Sequence, residues 1–595
     1  MCGLIGYKGQ KNAAAIVING LKHLEYRGYD SAGLCLISKN KAVLIKKVGK
    51  VEKLLEEITR RQVKGEILEG EIGIGHTRWS THGAVTEVNA HPHFSCDKNI
   101  YVVHNGIIEN YQELKKDLIK KGHHFVSQTD TEVIPHLIEE YKKSYDFKTS
   151  CLKTFRQLKG LFAVVVLDSR TGEIIGARNG SPLVMGIAKD GLFLASDIPA
   201  FLDKANKIIL IDDEEMIYLK NDRGYLIKNF MTNKIIKKKV QNINWTFKQA
   251  EKGKYPHFMI KEIMEIPGSI RNALIQNKKI INKITQLISK SSQIIFVGCG
   301  TAGHACLEAK YLFSAFGIKS DFIPASEFIN FLPSFNKNTL IIAISQSGET
   351  IDVVEAVRLA KSYGLKVAAI VNVMGSTLTR ISDYVLMINA GPEKCVLATK
   401  SYLGQLTVIL FLLSFFFNQI SQDKIKILSQ LSSRILTDIN FHKRIKTLAK
   451  LLKNRKHLYV IGRGFQYPTS LETALKIKEG CYLHTEAFAG GELKHGVIAL
   501  IEKDTPCIVH LAEDNQKENT LINAMELKSR GAYLIGIGPK KIKEFDYFVE
   551  IPQVDAIFAP LINIIPVQLL TYYLAIEGKI DPDRPRHLAK SVTVK

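Results

Sequence analysis

Cysteine is sparse and shows no pairing pattern. There are nine in 595 residues, an odd number with no C-x-x-C pair, which excludes a disulfide framework and a zinc ribbon and fits a reducing cytoplasm. Proline is scarce as well, 17 against 42 glycines, and with 46% hydrophobic and 23% charged residues the chain is neither collagen-like nor disordered. The start, MCGLIGYKGQ, lacks the charged stretch and long apolar core of an export signal. The strongest apolar run, residues 407–417, falls short of the roughly 20 residues of a membrane span and contains Ser414; it reads as a buried core helix. Acidic residues are short of basic ones, 58 against 81, a net charge of +23. Such a surplus suits nucleic acid or an acidic membrane only when gathered on one face. Here the lysines are scattered, and the densest run, Lys237, Lys238 and Lys239, has no interleaved aromatics to stack bases. Neither nucleic acid nor a membrane is expected as a partner.

At about 150 residues per domain the length implies three to four folding units. Residues 1–220 hold short alternating or apolar runs broken by glycine, asparagine and aspartate, such as CGLIGYKG, SAGLCLIS, IYVVHNGIIEN and FAVVVLDS, a pattern of packed antiparallel sheets. A polar, basic stretch over about 221–256 reads as a seam. Beyond it, all-apolar strands such as QIIFVGCG, TLIIAISQSGET, VAAIVNV and HLYVIGRG alternate with helical segments, which predicts parallel sheets covered on both faces. This half repeats: Gly298-Cys299-Gly300 and Gly462-Arg463-Gly464 each follow a strand and lead to a Leu-Glu pair, at an offset of 164 residues, the size of one α/β domain.

Cys2 precedes a glycine and an apolar strand. Once Met1 is removed, one residue carries a thiol and an α-amine with a pKa of about 7.7–8.0, able to take the thiol proton without a histidine base. The segments LEYRGYDSAG, HTRWSTHG, HNGIIEN and SQTDTEV supply the rest of an amide-hydrolysing site. Asn105-Gly106 offers a side-chain amide and a backbone N–H to an oxyanion; Arg78 and Asp130 suit the carboxylate and ammonium of an amino acid. These strings resemble the class II glutamine amidotransferases of the N-terminal-nucleophile hydrolases. The resemblance implies an α+β domain built as an αββα sandwich, with Cys2, Asn105 and Gly106 catalytic, Arg78, Thr81 and Asp130 binding glutamine, Arg27 supporting the nucleophile and Trp79 gating an ammonia channel. His91, His93 and Cys96 match no zinc spacing, and no metal or cofactor is expected.

GCGTAG, residues 298–303, is a G-x-G-x-x-G between strand and helix and invites a dinucleotide reading. The duplicate, GRGFQYP, breaks that fingerprint, and Ser345-Gln346-Ser347-Gly348-Glu349-Thr350 is a hydroxyl-rich loop entering a helix, suited to a phosphate monoester. AISQSGET resembles the phosphosugar loop of SIS domains. In the second copy Lys476 and Glu479 lie three apart on one helix side, with His495 nearby. The C-terminal DPDRPRHLAKSVTVK resembles a tail that enters the sugar site of hexosamine-forming amidotransferases.

The whole order resembles that family: amidotransferase 2–220, linker and helical lead-in 221–283, two three-layer α/β SIS domains with parallel sheets at 284–425 and 449–583, and tail 584–595. It implies a cytoplasmic homodimer taking glutamine and fructose 6-phosphate to glucosamine 6-phosphate, the first hexosamine step. Thr301, Ser345, Gln346, Ser347, Thr350, Val396 and Ala589 would bind sugar phosphate; Lys476, Glu479, His495 and Lys590 would be catalytic. Two departures, Ala302 and Ala398 where serines are usual, remove hydroxyls near the expected sugar, each worth about 0.5–1.5 kcal/mol as a hydrogen bond. Two alternatives stay open: an amidotransferase for another phosphosugar or a deglycase, and a phosphosugar-sensing SIS protein.

Overall fold

The computed structural model describes all residues except 1, 40, 81, 221–223, 244–250 and 594–595. Two compact units emerge: Met1–Glu251 with Ala589–Lys595, and Lys252–Leu588.

The first unit contains an eight-stranded and a seven-stranded sheet, antiparallel throughout their paired strands. Alternation of side chains along each strand sends them to two different cores. In Gly3–Gly9, Ile5 joins the core under the helices Ala13–Leu24 and Val51–Val63, while Leu4 joins the core between the sheets. In Ile100–Ile108, Val102 faces the core under Val133–Lys142 and Phe147–Gln157, while Val103 faces the inter-sheet core. The layers therefore run helix, sheet, sheet, helix, the sandwich the resemblance implied.

The stretch 221–283 is divided between the units. Tyr225–Asn229 and Ile235–Ile236 extend the edge of the seven-stranded sheet, and Gln241–Asn242 pairs with Lys207–Leu210 at the edge of the other. The helices Phe258–Met264, Ile266–Ala273 and Lys278–Lys290 belong to the second unit. These edge strands are short and carry little apolar alternation, so they read as a seam.

The second unit holds two five-stranded parallel sheets with one topology. The first runs Ser320–Pro324, Gln293–Gly298, Thr339–Ser345, Lys366–Val371, Tyr384–Met387; the second runs His484–Ala489, His457–Gly462, Pro506–His510, Tyr533–Gly538, Tyr547–Glu550. In each, the chain's first strand lies between its second and third, and a crevice opens at the carboxyl ends where the order reverses. The helix Lys400–Leu413 is buried along its full length, as expected of the apolar run, although it stops short of residue 417. A longer apolar helix, Ala559–Glu577, is long enough to cross a membrane but is buried as a core helix of this unit.

Candidate active site

Register places the thiol. Gly3 pairs with Thr77, so Cys2 meets the residues that leave the neighbouring strand. The Trp79 N–H donates to Cys2 Sγ at 3.2 Å. Burial pushes the Cys2 thiol up; the amino terminus, the Trp79 N–H and Arg78 pull it back. From the opposing sheet the Asn105 Nδ2 donates to the Cys2 carbonyl at 2.9 Å, setting an amide donor beside Cys2. Gly106 has φ 121°, and a Cβ there would lie 1.9 Å from the Leu161 carbonyl, so only glycine fits. Arg27 is buried; its Nε donates to the Cys2 carbonyl at 3.3 Å and its Nη1 to Asp197 Oδ2 at 2.7 Å. Tyr26 Oη donates to the same carboxylate at 2.5 Å. Arg27 thus holds the backbone of Cys2.

Arg78 is also buried, its guanidinium donating to the carbonyls of His82, Gly83 and Ala84. Burial pulls its pKa down, against the nearby Cys2, Asp30 and Asp130. Asp130 Oδ2 accepts the Ile108 N–H at 2.7 Å. The Trp79 ring stands edge-on to Tyr29, with centroids 5.7 Å apart. Thr81 lies outside the described residues.

Behind Asn105 sits a cluster of buried imidazoles. His76 Nε2 lies 2.9 Å from the His104 carbonyl and 3.0 Å from Asn105 Oδ1, which assigns the proton to Nε2 and turns the Asn105 amide nitrogen toward Cys2. His76 stacks on His91 with centroids 4.1 Å apart. His91 Nε2 and His104 Nδ1 share Thr131 Oγ1 at 3.1 and 2.8 Å, and His93 Nε2 meets Thr129 Oγ1 at 3.1 Å. Burial pulls all four below the ordinary histidine value, His76 to about 3. These groups stay neutral in the fold but charge near pH 6.5 when unfolded. Their stability contribution is therefore present above about pH 6.5 and lost as pH falls toward the folded values, up to about 1.4 kcal/mol per histidine per pH unit. Urea unfolding at pH 7.5, 6.5 and 5.5 is expected to show a steep loss across the lower interval. A flat profile would contradict neutral burial.

In the second unit, the loop after Thr339–Ser345 leads into the helix Ile351–Ser362. Ser345 Oγ accepts the Gly348 N–H at 3.0 Å and lies 3.1 Å from Thr350 Oγ1; Ser347 Oγ accepts the Glu349 N–H at 3.1 Å. Gly348 has φ 66°, and a Cβ there would lie 2.0 Å from Ser376 Oγ. The Gln346 carbonyl accepts the Asn372 N–H. Hydroxyls and backbone N–H groups at a helix N-terminus form a cradle for a phosphate dianion.

The adjacent strand, Gln293–Gly298, opens the other side of the same crevice. Thr301 Oγ1 donates to Glu472 Oε1 at 3.1 Å, and His304 Nδ1 lies 2.7 Å from Glu472 Oε2. Glu472 belongs to the helix Gln466–Cys481 of the second copy, where Lys476 Nζ is 3.6 Å from Glu472 Oε1 and 2.5 Å from Glu479 Oε2. Lys476 is fully buried. Burial pulls its pKa down, but Glu479 and Glu472 outweigh that and hold it above the ordinary lysine value; it remains a cation. Glu479 is half-buried, a carboxylate partly open to solvent. Val396 is tied through its N–H to the Asp583 carbonyl at 3.1 Å. His495 is exposed at the end of the turn Gly490–His495. Ala589 and Lys590, both half-buried, group with the first unit.

Residues 76–203 match the glutamine amidotransferase domain, and residues 287–415 and 451–578 each match the SIS domain. Glutamine–fructose-6-phosphate aminotransferase (isomerizing) of Thermococcus kodakarensis is 43% identical over 608 residues, all of both chains. The chain belongs to the glutamine–fructose-6-phosphate aminotransferase family. Its namesake in Methanothermobacter thermautotrophicus is 43% identical over 605 residues, again all of both chains. Among solved structures, the C-terminal domain of glucosamine-fructose-6-phosphate aminotransferase from Francisella tularensis is 31% identical with a TM-score of 0.51, covering 56% of this chain and all of that one.

Against the family pattern, Ala302 is buried in the first turn of Gly300–Ala315. Ala398 lies in a loop held by Glu393, which accepts from the N–H groups of Thr399 and Ser401 and from Ser401 Oγ. Sequence reasoning passes over Asp197, His76 and Glu472. The repeat holds a pointer to the last, since it aligns Glu472 with Glu308. Glu308 itself is fully buried, with neither carboxylate oxygen hydrogen-bonded among the described residues. Burial holds its pKa well above the ordinary value, so it folds neutral and costs stability as pH rises above about 4.3, where the unfolded group ionises. Glu308→Met is expected to raise stability at pH 7.5 by about 1–3 kcal/mol, measured by urea unfolding; a loss would contradict an unpaired carboxyl.

Proposed function

We infer that this protein converts glutamine and fructose 6-phosphate into glutamate and glucosamine 6-phosphate, the opening step of hexosamine synthesis. The observation that carries the reading is the pairing, in a chain matched end to end by relatives of that name, of a thiol beside an amide donor with a buried lysine held by Glu472 and Glu479 and a hydroxyl-lined loop at the end of a parallel strand. Cys2 thiolate adds to the glutamine amide carbon, with Asn105 and Gly106 holding the oxyanion. Collapse expels ammonia, which takes up a proton as it leaves, and water hydrolyses the glutamyl thioester. Arg78, Thr81 and Asp130 bind the amino-acid end, Arg27 steadies the nucleophile, and Trp79 is assigned as the gate that keeps ammonia from solvent.

Ser345, Gln346, Ser347 and Thr350 hold the sugar phosphate, with Thr301, Val396 and Ala589 on the sugar. His495 opens the ring. The Lys590 amine adds to the C2 carbonyl, whose oxygen leaves as water to give an imine; ammonia then displaces the lysine. Glu479 removes a proton from C1 and delivers it to C2 while the C1 hydroxyl proton passes to the imine nitrogen, giving the C2 amine and a C1 aldehyde, with the Lys476 cation beside the Glu479 carboxyl throughout. We further propose a cytoplasmic homodimer, in which the exposed His495 is available to a neighbouring copy. A monomer in analytical ultracentrifugation would contradict the dimer. Purified protein given both substrates should yield one glutamate per amino sugar; glutamate with no amino sugar would favour another acceptor, and sugar-phosphate binding without hydrolysis a sensor.

A further inference from the structure

In the sequence Cys96 stands beside His91 and His93 at a spacing that predicts no metal. The fold turns those two histidines to Thr131 and Thr129 and gives Cys96 other neighbours. Cys96 follows the strand His93–Phe94, His123 follows the helix Tyr111–Lys120, and His136 and Glu139 project from the helix Val133–Lys142. Cys96 Sγ lies 3.8 Å from His123 Nδ1 and 3.5 Å from His136 Nδ1. Glu139 Oε2 lies 3.0 Å from His123 Nδ1 and 3.7 Å from His136 Nδ1. All four ligand atoms fall within 4.8 Å of one another. A tetrahedral ion with bonds of about 2.0–2.3 Å has ligand-to-ligand edges of roughly 3.3–3.8 Å, close to the four separations above, and the remaining pairs need to close only from within 4.8 Å.

The surroundings fit as well. The outer nitrogen of His123 meets Glu140 Oε2 at 3.1 Å, and that of His136 faces Glu132 Oε1 at 3.6 Å. The carboxylate hydrogen-bonded behind His123 keeps its outer nitrogen protonated and leaves Nδ1 to ligate, while Glu132 stands behind His136 at ion-pair distance. The His124 N–H points to Cys96 Sγ at 3.3 Å, and the Cys96 and Asp97 N–H groups fix the Glu139 carboxylate at 3.1 and 2.8 Å. Both histidines are buried, whereas Cys96 is exposed and leaves a path of entry.

We propose that Cys96, His123, His136 and Glu139 bind one divalent ion of the zinc class in a closed, structural site. Thiolate and carboxylate together neutralise the divalent charge, the two imidazoles ligate as neutral groups, and binding releases the thiol proton to solvent. Four protein ligands leave no open position for catalysis. The ion instead ties the two ends of the loop 121–132, which carries Asp130 and whose Glu132 accepts the Val126 and Ser127 N–H groups. It thereby fixes a glutamine-facing residue from behind. The proposal stands apart from the assignment of the sugar substrate.

The full chain, purified without a histidine tag and dialysed against metal-free buffer, is expected to retain about one zinc per chain by plasma mass spectrometry. Exchange for cobalt(II) is expected to give the thiolate-to-cobalt charge-transfer band and the intense visible bands of a tetrahedral site. Cys96→Ser, at an exposed position that leaves the fold intact, is expected to abolish the charge-transfer band. Glu140→Gln, behind His123, is expected to weaken binding about tenfold or more. Protein that retains no transition metal and develops no cobalt bands on titration would overturn the proposal, as would a charge-transfer band that survives Cys96→Ser.

Discussion

Cys2→Ala is expected to lower glutamine hydrolysis by about 10⁴-fold or more, because the nucleophile and the groups arranged around it act as a unit. The second unit has its own cores, so the same variant should still bind fructose 6-phosphate and exchange its C1 proton with deuterated water. Glutaminase assays and mass spectrometry of the recovered sugar phosphate check the two halves of this expectation separately. Hydrolysis persisting within tenfold of the parent would remove Cys2 from the role, whatever its contacts with Trp79.

Glu479→Gln is expected to do the reverse. Removing the proposed base should cut amino-sugar formation by about 10²–10⁴-fold while glutamine hydrolysis persists. Lys476→Met separates a chemical effect from a structural one. The lysine is the cation between Glu472 and Glu479, and its loss leaves the fully buried Glu472 with only Thr301 and His304 as partners; breaking a buried ion pair typically costs about 3–5 kcal/mol. Glu479→Gln keeps the side-chain shape, so urea unfolding should find that variant near the parent and Lys476→Met well below it. Equal stability of the two would contradict a buried cation at Lys476.

The parts of the site that are legible in the sequence are those where chemistry and local geometry coincide. Cys2 stands at the chain start beside a strand, Asn105-Gly106 joins a donor to a position that only glycine satisfies, and the serine loop enters a helix. The apolar strands and the 164-residue repeat likewise announce two parallel-sheet domains. What stays hidden depends on pairings across long separations. Asp197 meets Arg27 across 170 residues, and Glu472 meets Thr301 across 171; no local spacing encodes either. His76 reads as one polar residue within a strand, and only the second sheet, 29 residues on, gives it Asn105 to orient. The histidines nearest Cys96 in sequence are His91 and His93, whereas its neighbours in space arrive from a helix end and a helix face 27 and 40 residues away. The edge strands between residues 225 and 242 escape for a different reason: an edge strand buries little, so its composition resembles a linker.

The most direct test of the account supplies glutamine labelled with ¹⁵N in the amide, fructose 6-phosphate and excess unlabelled ammonium to the intact protein, and reads the sugar product by mass spectrometry. Label in glucosamine 6-phosphate, undiluted by the unlabelled pool, is the expected result, since ammonia made at Cys2 must reach the sugar without entering solvent. Labelled ammonium in solution with no labelled amino sugar would contradict it.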